Sequence, residues 1–176
     1  NFVWLLRDDP GRARRETAEG IAGWSEQGFH VQHWNTLLAN VQTELYVGQG
    51  RAAYKMMADA WSAMSRSGVF HIQHTRIAAV HLRARAALAA AQQSTGKERA
   101  GHLKEARRCV VILGRQPDAW AKALTRLTSA SLENLQGRAD AHATVAAIQA
   151  LQDNDLSLFA HAARVAACKA IACEPA

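Results

Sequence analysis

Apolar positions recur along this chain every three or four residues, and short polar or glycine-containing breaks separate the periodic runs. Val31, Trp34, Leu38, Val41 and Leu45 make one such stripe; Tyr54, Met57, Trp61 and Met64 make the next. Alternating three- and four-residue spacing places each set on one face of an α-helix. The same pattern puts Ala13, Thr17, Ile21 and Trp24 together, then Ile72, Ile77, Val80, Leu82 and Leu88. Further on it groups Leu103, Ala106, Val110 and Leu113, and then Trp120, Leu124, Leu127, Leu132 and Leu135. No alternating β-branched run is long enough for a strand. The reading is all-α.

The breaks set the boundaries. Residues 1–7 read as the tail of a helix. Asp8-Asp9-Pro10 supplies a turn, a cap and a proline at a first helical position. Helices are expected over about 10–27, 30–47, 50–66, 71–93, 97–113, 117–135, 138–152 and 156–172. Gly28, Gly48, Gly68, Gly114 and Gly137 are read as their stops. Connections are short, so consecutive helices should be antiparallel neighbours.

The chain also repeats itself. Phe29-His30-Val31-Gln32-His33 returns as Phe70-His71-Ile72-Gln73-His74, and Gly-Arg-Ala occurs at residues 11–13, 50–52 and 137–139. These marks divide the chain into about four helical hairpins plus a half unit at the N-terminus. Such periods belong to stacked hairpins that cannot bury their apolar faces alone. The expectation is a right-handed α-solenoid, tetratricopeptide-like, forming a single domain over 1–176. That domain reads as a fragment of a longer multidomain chain.

Four segments sharpen this: Trp4-Leu-Leu-Arg-Asp-Asp-Pro10, Trp24-Ser-Glu-Gln-Gly-Phe-His30, Glu44-Leu-Tyr-Val-Gly-Gln-Gly50 and residues 79–89. They resemble the C-terminal helical-repeat region of large bacterial serine/threonine protein kinases, most clearly over residues 1–93. The resemblance implies a non-catalytic regulatory or partner-binding piece of a signalling polypeptide. The kinase signatures themselves are absent from these residues: no Gly-rich phosphate loop, His-Arg-Asp or Asp-Phe-Gly. No catalytic residue is carried over, and no cofactor is expected.

Charge adds a competing class. Lys and Arg number 21 against 15 acids, a net +6. A basic helical chain could serve a nucleic-acid-associated transcriptional regulator. The cations are dispersed, however, with no aromatic residues interleaved as a stacking surface requires, which argues against nucleic acid. No apolar run is long enough to span a bilayer. Three cysteines, Cys109, Cys168 and Cys173, give neither a disulfide framework nor a zinc signature. They read as thiols of a cytoplasmic protein.

The chemistry-bearing residues gather on the second helix of each early hairpin. His30 and His33 share one helix face, and His71 and His74 repeat the arrangement. Four imidazoles on neighbouring helices could in principle collect a metal, although no carboxylate is spaced to orient them. The alternative is a turn landmark inherited by duplication. A groove lined by His33, Asn40 and Glu44, with His74, His81 and Arg85 as counterparts, is the expected docking place for a protein, a peptide or another domain of the same chain. Trp34 beside the first histidine pair joins that set. Exposed apolar side chains are expected at Phe2, Val3, Trp4 and Leu5, where an oligomer contact could form.

Overall fold

The computed structural model describes residues 2–157, 159–161 and 163–164. These residues are helical with no β-strand among them. The elements are α1 (Phe2–Leu6), α2 (Pro10–Ile21), α3 (Val31–Tyr46), α4 (Gly50–Arg66), a 3-10 turn (Gly68–His71), α5 (Gln73–Gln92), α6 (Gly96–Gly114), α7 (Ala119–Leu135) and α8 (Ala141–Gln152). The chain divides into two compact units, Asn1–Ala106 and Arg107–Ala176.

In the first unit α3 packs on α1 and α5 as well as on its chain neighbours α2 and α4. The odd-numbered helices therefore lie side by side, bridged by α2 and α4. The core between α3, α4 and α5 holds Trp34, Val41, Ala53, Met57, Met64, Ala79, Leu82 and Ala86. Met57 and Met64 are two turns apart on α4, so one face of that helix is apolar along its length. The α5 helix is buried around most of its circumference from Thr75 to Ala91, with exposed side chains at its ends and at Arg76. Alanine makes this close packing achievable. A Cβ placed on Gly50 would lie 2.4 Å from the carbonyl carbon of Ala89, so α4 starts where only glycine lets the two backbones meet. The Gln93 side chain secures that junction: its amide nitrogen donates to the Gly48 carbonyl, and its oxygen accepts from the Arg51 N–H at 3.1 Å.

In the second unit α7 packs on α8. Cys109, Leu113, Leu124, Leu132, Ile148 and Leu151 are buried there. Thr128 is buried too, its hydroxyl donating to the Leu124 carbonyl at 2.7 Å.

Several boundaries differ from the sequence reading. The α2 helix stops at Ile21 rather than near residue 27, where Gly20 and Gly23 weaken it and the Ala22 N–H turns back to Glu19. Trp24 leaves the core stripe as a result and is 45% exposed. Gly28, with φ +84, shapes the loop into α3 rather than capping α2. The expected helix 71–93 is broken at its start by the 3-10 turn, which the Ser67 hydroxyl nucleates by accepting from the Val69 N–H. The third Gly-Arg-Ala does not open a helix: Gly137 has φ +72, and α8 begins at Ala141 under an Asp140 cap. Leu5 is buried, and Trp4 is half-covered by the Arg12 guanidinium 3.5 Å from its ring. Val3 is exposed, in line with the sequence reading, and Leu6, which that reading did not include, is exposed as well. Most of the expected helix 156–172, Cys168, Cys173 and the Phe2 side chain lie outside the described residues.

Candidate functional site

Histidine is the residue type that the repeat brings forward, and the first pair is tied down. The indole N–H of Trp24 donates to His30 Nδ1 at 3.1 Å. The backbone N–H of His30 donates to His33 Nδ1 at 3.0 Å, closing the first turn of α3. The two rings lie 5.4 Å apart, and Phe29 leans on His33 at 5.6 Å. With Nδ1 accepting in both rings, each must carry its proton on Nε2. A metal at Nε2 would move that proton to Nδ1, where it would face another donor. Cap and metal ligation exclude one another here. Among the described residues no group of three or more His, Cys, Asp or Glu is placed to hold a metal ion, so the four histidines do not form a site together. His71 ends the 3-10 turn and His74 lies in the first turn of α5, both exposed.

The expected groove residues scatter by burial. Trp34 is 4% exposed and belongs to the core. His81 is likewise buried; desolvation, then the nearby Arg85 charge, lower its pKa to about 3. It contributes no surface. Arg85 is partly buried, and desolvation pulls its guanidinium below the usual arginine range. Glu44 accepts from Arg14 Nε and Nη2 at 3.0 and 2.8 Å, clamping α2 to α3. Asn40 is half-buried beside this clamp on α3.

An open groove does exist, on a neighbouring face of α3. It encloses about 470 Å³ between α2 and α3. Its floor is small or aliphatic, with Ala13, Gly20, Ile21, Leu38 and Ala39; its α3 wall carries Gln32, Asn35, Thr36 and Gln42. None of the three amide side chains bonds to another described residue. Among the described lining residues the ionisable one, Glu16, accepts from Trp4 Nε1 at 2.6 Å and Arg12 Nε at 3.0 Å. Those two bonds hold its carboxyl below the usual range. The groove thus offers neutral hydrogen-bonding groups and space. Its sequence signal was available: residues 32, 35, 36, 39 and 42 form a polar or small stripe at helical spacing, opposite the small residues of α2.

A second polar cluster also escaped the sequence reading. Glu98, His102 and Glu105 fall on one face of α6. Arg51 Nη2 lies 2.7 Å from Glu98, and Arg83 Nε lies 2.7 Å from Glu105 while its guanidinium sits 4.1 Å from the Trp61 ring centre. The His102 ring meets Tyr54 edge-on at 4.5 Å, with Nε2 3.7 Å from Glu98. Those charges link α6 to α4 and α5.

No family model, curated protein or solved structure matches this chain. Among the described residues no helix is long and apolar enough to cross a membrane.

Proposed function

We propose that this chain is a non-catalytic, tetratricopeptide-like helical-repeat domain that docks protein segments, as the C-terminal regulatory part of a cytoplasmic bacterial serine/threonine protein kinase. The observation that carries the docking reading is the α2–α3 groove. It is open and neutral, and its amide groups are unspent. Other polar side chains of the first unit are committed to the fold, among them Glu44 to Arg14, Glu105 to Arg83 and His33 to a cap. The packing of α3 on both α1 and α5 supports the repeat architecture, since stacked hairpins bring alternate helices together. The kinase parentage rests on the sequence resemblance alone.

Selection of binders from a displayed random-heptapeptide library tests the docking reading. Enrichment of peptides that compete with one another for the purified domain is the expected result; no enrichment over an unrelated helical protein removes the reading. The parentage is tested separately by the coding sequence upstream of Asn1, where a Gly-rich loop and a His-Arg-Asp loop are expected.

A further inference from the structure

Resting on the docking reading, the geometry points to one occupant for the α2–α3 groove: an extended, uncharged stretch of polypeptide, held by its backbone through Gln32, Asn35 and Gln42. Three properties of the groove select it.

The first is chemistry. Each amide side chain offers both an N–H donor and a C=O acceptor, the complement of a peptide group. All three lie on the wall of one groove, and none is bonded to a described residue. A ligand that presents alternating donors and acceptors is the one that satisfies them all.

The second is charge. No cation is among the described residues that line the groove, and both Glu16 oxygens are occupied by Trp4 and Arg12. A phosphate-bearing ligand finds no counter-charge here, and a cationic side chain finds a carboxylate already paired.

The third is length and width. From Gln32 to Gln42 the α3 axis rises about 15 Å, at about 1.5 Å per residue. An extended chain covers that distance in about four or five residues, at about 3.3 Å each. The small floor at Ala13, Gly20 and Ala39 leaves room for a backbone with small side chains, and about 470 Å³ suits such a segment.

The probe is the tightest heptapeptide recovered from the display library, resynthesised and measured by fluorescence anisotropy. N-methylation, one peptide bond at a time, deletes backbone donors without touching the protein. Affinity losses of about tenfold are expected at alternate positions, because successive peptide groups of an extended chain face opposite sides. Gln32→Ala, Asn35→Ala and Gln42→Ala should each weaken binding by about three- to tenfold while leaving the melting temperature unchanged. Gly20→Leu should abolish binding with an equal or higher melting temperature: a Cβ there meets nothing within 4 Å, and leucine is the better helix former. A peptide that binds but ignores N-methylation and all four substitutions overturns the inference and leaves the docking reading standing. Losses at every third or fourth position overturn it too, because that periodicity belongs to a bound helix. Recovery of no peptide at all overturns the docking reading itself.

Discussion

His81 is a basic side chain held neutral by its surroundings, and the cost appears in acid. Its pKa falls from 6.5 to about 3 on folding, chiefly by desolvation and then by the Arg85 charge. The unfolded chain therefore binds a proton between those values that the folded chain refuses. Folding stability is unaffected by this group above pH 6.5 and declines as pH falls toward 3, at up to about 1.4 kcal/mol per pH unit. His81→Leu should flatten that acid limb in urea titrations between pH 6.5 and 4; a limb of unchanged slope would mean that His81 is not its source. Gly50 is constrained by contact rather than by charge. Gly50→Ala would ordinarily favour a helix by about 1 kcal/mol, but here the new methyl overlaps the Ala89 backbone, which cannot move aside cheaply. A net loss of about 2 kcal/mol or more is expected, measurable as a lower denaturation midpoint. Gly101→Ala, with nothing within 4 Å of its Cβ, is the matched control and should not destabilise.

At the scale of the helix, periodicity carried most of what the sequence could reveal, and context decided the rest. Stripes such as Met57–Met64 and Leu124–Leu132 were legible because burial there follows the 3.6-residue repeat. The Asp9-Pro10 start was legible because it is local chemistry: Asp9 Oδ1 accepts from the Arg12 N–H at 2.8 Å. Asp9→Ala should lower stability by about 1 kcal/mol, read by thermal unfolding. Repeated letters were a poorer guide. In the first Phe-His-x-Gln-His the helix opens at Val31; in the second a 3-10 turn intervenes and α5 opens at Gln73. His81 and Arg85 fell on a stripe read as a groove wall, yet packing around most of α5 buries His81 and part of Arg85, which no single helix's pattern can disclose. The α2–α3 groove was missed because it depends on which faces of α2 and α3 diverge. Since His33 serves as a cap acceptor, added Zn²⁺ should produce no saturable rise in melting temperature; such a rise would contradict the assigned tautomers.

For the molecule as a whole, net charge and local site make opposite claims about salt. The chain carries +6, enough to attract polyanions without any built site. Such attraction releases counterions. For about four phosphate contacts it should weaken by about three orders of magnitude between 50 and 500 mM NaCl. The described residues of the α2–α3 groove leave no unpaired charge to screen, because Glu16 is already held by Arg12 and Trp4. Hydrogen bonds between amides and a peptide backbone release no counterions, so affinity for a neutral heptapeptide should change less than about twofold over the same range. Anisotropy titrations of the peptide and of a single-stranded oligonucleotide, run side by side at each salt concentration, separate the two. If the peptide's affinity falls in parallel with the oligonucleotide's, binding is driven by the basic surface and not by the groove. If only the oligonucleotide is lost, the neutral groove is the specific site and the +6 charge is a background that physiological salt suppresses.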